Sequence, residues 1–155
     1  MKSTYLILTF FFTISVNAQI EIIPYEQIAV NYFAEELSES YNQLKYLVFD
    51  GNLEMTSPLP YSFCMVLKKV DNYEETENVK VNIPYPILKK IGFLKKLFIS
   101  NRKIGNVYVF KHYPKEDDIV VVINVTNKNI DDYYSILIDK KTKKAINSCK
   151  KTYYQ

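Results

Sequence analysis

The chain has no tryptophan, three glycines, two cysteines and a single histidine in 155 residues. Each scarcity removes a class of chemistry. One histidine with cysteines far apart at Cys64 and Cys149 cannot build the closely spaced ligand pairs of a zinc site. Glycines only at 51, 92 and 105 leave no glycine-rich loop to cradle a phosphate. The acidic pairs Asp117-Asp118 and Asp131-Asp132 lack the alternating oxygen ligands and central glycine of a calcium loop. No metal and no cofactor is therefore expected. So little glycine and proline, against 48% apolar residues, also excludes a disordered or repetitive chain.

Long apolar runs are missing except at the start. "MKSTYLILTFFFTISVNAQI" has one lysine, an apolar run from Tyr5 to Ile14, then Ser15-Val16-Asn17-Ala18. This is the layout of a secretory signal, with Val16 and Ala18 where the peptidase reads. The run falls short of the about 20 apolar residues a spanning helix needs. No cysteine follows Ala18, so no lipid anchor is expected. The expectation is a signal at 1–18 and one α+β domain at 19–155, secreted or periplasmic.

Carboxylates are absent from a long middle stretch. Between Glu77 and Glu116 there is none, while Lys80, Lys89, Lys90, Lys95, Lys96, Arg102, Lys103, Lys111 and Lys115 all fall there. From Gln19 to Glu77 the balance is reversed, with eleven acidic residues against Lys45, Lys68 and Lys69. Such halves either mark a polyanion or anionic-membrane partner, or face each other within one fold. Nucleic acid is not an expected partner: the pI of 8.6 is modest, no nucleic-acid motif occurs, and export is expected.

What is present is periodicity. From Pro24 to Leu44, Tyr25, Ile28, Ala29, Tyr32, Phe33, Leu37, Tyr41 and Leu44 draw one apolar stripe, which predicts a helix with Glu26, Glu35, Glu36 and Glu39 mainly off it. "KYLVFDGNLEMT" predicts a tight hairpin at Asp50-Gly51. "YSFCMVLKK" alternates as a strand, and "DNYEETEN" is a solvated loop. In "YPILKKIGFLKKLFIS" Ile87, Ile91, Leu94 and Phe98 stack on one side, predicting a second, shorter helix near 86–99 weakened by Gly92. Its lysines suit either a membrane interface or a helix packed on a sheet. After Gly105 come strands: "NVYVFKHY", "DIVVVINVT", "YYSILID" and "KAINSCK". Ile119 to Ile123, apolar on both faces, predicts a central strand. Ser135–Ile138 and Ala145–Cys149 form the closing hairpin around Asp139–Thr142, its lysines discouraging edge pairing.

A long N-terminal helix followed by a mostly antiparallel sheet over residues 24 to 150, closed by "ILIDKKTKKAI", resembles the cystatin-like and NTF2-like α+β group. The resemblance implies a helix packed across a curved sheet. It carries no functional residue, since the Gln-Val-x-Ala-Gly segment of cystatin inhibitors is absent. That group hosts enzymes, inhibitors and scaffolds alike.

Candidate chemistry is sparse. His112 lies beside Glu116, Asp117 and Asp118, which would orient it as a general base. A Cys64–His112 nucleophile pair has no local signature, and "NVT" at 124–126 is a glycosylation pattern inside a predicted strand. Tyr25, Tyr32, Tyr41, Tyr46, Tyr61, Tyr108, Tyr133 and Tyr134 suit a rim or a binding face. With two cysteines in an exported chain, one pairing is available, Cys64 to Cys149. The leading expectation is a secreted, non-catalytic protein that binds a protein or small ligand on its sheet face. The alternatives are a membrane-surface protein using Lys89, Lys90, Lys95 and Lys96 on helix 87–98, and a small NTF2-like enzyme.

Overall fold

The computed structural model describes residues 23–54, 64, 79–115 and 117–154. The expected export signal and, apart from Cys64, the expected strand at 61–69 lie outside them, as does the side chain of Lys96. The architecture is α+β: one helical segment against a mixed eight-stranded sheet.

Helix α1, Tyr25–Tyr32, continues without a break through a π turn, Phe33–Leu37, and a 3-10 turn, Ser38–Tyr41. Pro24 stands one position before it, with its carbonyl accepting from the Ile28 amide. Every residue of the expected stripe, from Tyr25 to Leu44, lies in or against one core. Ser38 Oγ donates to the Ala34 carbonyl at 2.6 Å, a back-bond that goes with the changed helical pitch. Fully buried side chains such as Phe33 each contribute about 1.5–3 kcal/mol. One expectation fails here: Glu26 is buried, because the stripe is wider than three- and four-residue spacing alone implies.

The strands are β1 (Tyr46–Val48), β2 (Leu53–Glu54), β3 (Ile87–Leu88), β4 (Ile104–Phe110), β5 (Tyr113–Lys115), β6 (Asp118–Thr126), β7 (Ile130–Asp139) and β8 (Lys144–Tyr154). Their order is β3-β1-β4-β6-β7-β8, with β2 on β4 and β5 on β6. From β4 to β8 neighbours run antiparallel, whereas β1 is parallel to both β3 and β4. Helix α1 lies against β4, β6, β7 and β8.

Strand β6 is the predicted central strand, buried from Ile119 to Val125 on both faces. Ile119, Val121, Ile123 and Val125 face the α1 core; Val120 and Val122 face the other side. The closing hairpin also forms as expected and is longer, pairing Ile130 with Tyr154. At its turn Asp139 Oδ1 accepts from the Thr142 amide and Lys143 takes a positive φ of 55°. Amide bonds from Thr142 first and Lys141 after it lower the Asp139 pKa.

Two expectations are corrected. Asp50-Gly51 does not join a hairpin. Strands β1 and β2 both run parallel to β4, Tyr46 opposite Ile104 and Leu53 opposite Val109. The segment between them uses two residues more than β4 does, and Asp50-Gly51 takes up the surplus. Gly51 sits at φ 92°, and Asp50 Oδ1 accepts from the Asn52 amide at 2.8 Å. The helix expected near 86–99 shrinks to α2, Phe93–Leu97. Ile87 goes to β3 instead, where the Leu88 carbonyl receives the Phe49 amide. Gly92 precedes α2 instead of interrupting it.

Candidate functional site

Three polar arrangements stand out, and each joins residues distant in sequence. The first begins with α1. Glu26, 1% exposed, points toward the loop between β4 and β5. Its Oε1 accepts from both the His112 amide, at 3.0 Å, and His112 Nδ1, at 2.8 Å. Burial raises the Glu26 pKa, but these bonds outweigh it and hold the group below its usual value. Tyr25 meets the His112 ring edge-on, and Lys143 lies over the Tyr25 ring while donating to its hydroxyl. His112 thus has a carboxylate partner on α1, and neither Asp117 nor Asp118 pairs with it among the described residues, while Glu116 lies outside them. A nucleophile pair with Cys64 does not exist, because Cys64 is in a disulfide.

The second arrangement is centred on Asp132, fully buried on the helix side of β7. Its Oδ2 accepts from Tyr41 Oη at 2.6 Å and from Lys150 Nζ at 2.9 Å. Its Oδ1 accepts from Thr152 Oγ1 at 2.6 Å. Burial pushes the Asp132 pKa up, yet the three donors more than offset it and lower it. Burial first, then the bond to Asp132, drives the Tyr41 phenol well above its usual value. Desolvation acts downward on Lys150, and the bond to Asp132 overcomes it, raising its pKa. Lys150 also lies over the Tyr41 and Tyr134 rings, near 5.5 Å from each centroid. With every strong acceptor matched by a donor, this is a clamp between helix and sheet.

On the opposite face Cys64 and Cys149 form the expected disulfide, their Cα atoms 5.9 Å apart. Cys149 pairs with Ser135 across the β7–β8 ladder, and Ser135 Oγ accepts from the Cys64 amide at 3.4 Å. Asn124 of the "NVT" pattern is buried and donates to the Asp132 carbonyl at 3.3 Å, so the folded chain offers no glycosylation acceptor there.

The third arrangement is a cavity of about 970 Å³ at one end of the sheet. Its floor follows a cross-strand row: Val48 is opposite Asn106, and Asn106 opposite Thr126. Leu47 faces the α1 core, so its neighbour Val48 faces away, and the cavity opens on the side of the sheet opposite the helix. The walls come from three short segments. Lys89 and Lys90 follow β3, and Arg102 sits in a 3-10 turn, Asn101–Lys103, started by Ser100 Oγ accepting from the Arg102 amide. Lys128 sits in the β6–β7 turn, where Asn127 Oδ1 accepts from the Asn129 and Ile130 amides. Among the described residues, four cations line the cavity and no carboxylate does. None of the four has an acidic partner among the described residues.

Of the expected anion-contact lysines, Lys89 and Lys90 meet at this cavity, and Lys95 projects to solvent from α2. Arg102 and Lys128 were not singled out by spacing, although Arg102 belongs to the carboxylate-free stretch that signals the site. Of the tyrosines, Tyr41 and Tyr134 are core residues, while Tyr133 stacks edge-on with Tyr153. Among the described residues no helix is long and apolar enough to cross a membrane, and no His, Cys, Asp and Glu cluster is arranged to hold a metal. No family model, curated protein or solved structure matches this chain.

Proposed function

We propose that this is an exported, non-catalytic binding protein whose ligand is a small anion with an apolar body. The observation that carries the reading is the cavity lined by Lys89, Lys90, Arg102 and Lys128, with no carboxylate among its described lining residues. Four like charges around one space repel one another, and a bound anion relieves that repulsion. Ile91, Phe93 and Ile104 supply apolar wall, while Asn106 and Thr126 offer neutral polar groups from the floor. A volume of 970 Å³ is at the upper end of small-molecule sites. The lining side chains among the described residues are cationic, apolar or neutral polar, a set that supports binding of an anion.

Export, cleavage after Ala18 and a single domain from Gln19 onward belong to the same proposal. The Cys64–Cys149 bond supports it, since such bonds persist in oxidising compartments. We also propose kinship with the cystatin-like and NTF2-like folds, supported by α1 lying across the antiparallel β4-β6-β7-β8 run.

The test is calorimetric titration with an alkyl phosphate, an alkyl carboxylate and the matched neutral alcohol. The anions are expected to bind in a salt-sensitive way and the alcohol not at all. Arg102→Glu with Lys128→Glu should weaken anion binding by at least about tenfold, each exposed charge near the ligand contributing a modest Coulomb share. Equal binding of the alcohol, or unchanged binding by the charge-reversed variant, would remove the proposal.

A further inference from the structure

Helix α2 leaves its apolar side chains in water. Phe93, Leu94, Leu97 and Phe98 are exposed by 75%, 71%, 64% and 88%, all within six consecutive residues. Scattered exposed leucines are ordinary, but four large apolar side chains on one short segment form a surface that marks an interaction site. The sequence expectation had Ile87, Ile91, Leu94 and Phe98 holding a helix onto the sheet. With Ile87 withdrawn into β3, nothing among the described residues buries Leu94 or Phe98.

The neighbouring charge selects the occupant. Lys89, Lys90 and Lys95 are exposed beside these residues. The chain carries no carboxylate from Asn78 to Lys115. In a symmetric dimer seated on this patch, the same lysines of both copies would face each other without a compensating charge, which disfavours a second copy. A protein partner would need a matching acidic rim around an apolar pocket. An anionic bilayer supplies both requirements at once, phosphate or carboxylate headgroups for the lysines and acyl chains for the phenylalanines and leucines.

We propose that α2 and its flanking lysines dock this protein onto the surface of an anionic lipid bilayer, with Phe93, Leu94, Leu97 and Phe98 inserted at the headgroup level. The segment lies in the interface and does not span. Phe93 also lines the basic cavity, so docking brings the cavity mouth close to the lipid surface. This inference does not depend on the cavity holding a soluble anion.

Flotation with phosphatidylcholine vesicles, with and without phosphatidylglycerol, tests it. The protein is expected to float only with the anionic vesicles and to be released as salt rises, each lysine near the surface contributing about fivefold in partition. Leu97→Ser with Phe98→Ser alters two exposed side chains outside the cavity lining. That variant should keep its melting temperature and its response to alkyl phosphate, yet lose at least about tenfold in vesicle binding, because two inserted apolar side chains are gone. Absence of flotation at low salt overturns the proposal. So does a Leu97→Ser/Phe98→Ser variant that floats like the parent, since charge alone would then account for binding. Concentration-dependent dimerisation abolished by the same variant, without vesicle binding, would assign the patch to a second copy and overturn it too. Failure of alkyl phosphate binding with intact flotation removes the cavity reading only.

Discussion

Tyr41 and Asp132, 91 positions apart, share a 2.6 Å hydrogen bond that ties the end of the α1 helical segment to β7. The phenol donates to a carboxylate that Lys150 and Thr152 also hold, so the helix is fastened to two strands through one buried charge. Removing Asp132 leaves the Lys150 ammonium facing the tyrosine hydroxyl with no anion. Asp132→Ala is expected to cost about 3 kcal/mol, at the low end for a broken buried pair because Lys150 is 41% exposed and can rehydrate. Tyr41→Phe removes one donor to a charged acceptor and should cost about 1.5–3 kcal/mol. Urea unfolding of the two variants measures both, and equal stability of Asp132→Ala and the parent would rule the clamp out.

Acid sensitivity follows from the same group and from Glu26. Both have pKa values lowered in the fold, below ordinary values of 3.8 and 4.5. A depressed folded pKa means the stabilisation is complete above the unfolded pKa and is lost as pH falls through the folded one. The melting temperature should therefore fall below about pH 4.5. Asp132→Asn should be less stable near neutrality but show a shallower decline in acid.

The disulfide closes a long loop between Cys64 and Cys149. Its reduction is expected to lower stability by about 4–5 kcal/mol on the chain-entropy account. Thiol alkylation under denaturing conditions should label no cysteine before reduction and two after it. Cys64→Ser with Cys149→Ser should unfold at lower urea with little change in the spectrum of the folded state.

Gly105 lies where a side chain has no room. A Cβ there would stand 2.7 Å from Leu44 Cδ1 and 3.0 Å from Leu47 Cδ2. The half-buried Leu44 side chain would have to turn and Leu47 to give slightly, so Gly105→Ala is expected to destabilise by about 1 kcal/mol. Leu44→Ala in the same chain should recover part of that loss, and thermal denaturation of the two variants and the double variant reads the coupling.

The residue pattern by itself determined the α1 stripe, the doubly buried β6, the Asp139 hairpin and the only available cysteine pairing. In each case the information is local or a matter of counting: a side-chain period reports which faces are buried, and two cysteines admit one bond. Partner choice is different, because it depends on which distant segment satisfies a strand's backbone groups. Asp50-Gly51 looked like a hairpin turn because two apolar runs flank it, but the free edge of β4 offered both runs a parallel ladder. Ile87 and Leu88 looked helical until β1 supplied hydrogen-bonding partners that removed Ile87 from the stripe and left Leu94 and Phe98 in water. Glu26 looked like a solvated helix carboxylate, and only the loop from β4 to β5 brings His112 to it, 86 positions away. The cationic cavity likewise exists because three short segments, after β3, before β4 and after β6, end beside one cross-strand row. Tertiary structure decided these, since the free energy of a strand edge or a buried charge is set by what packs against it and not by its neighbours in sequence.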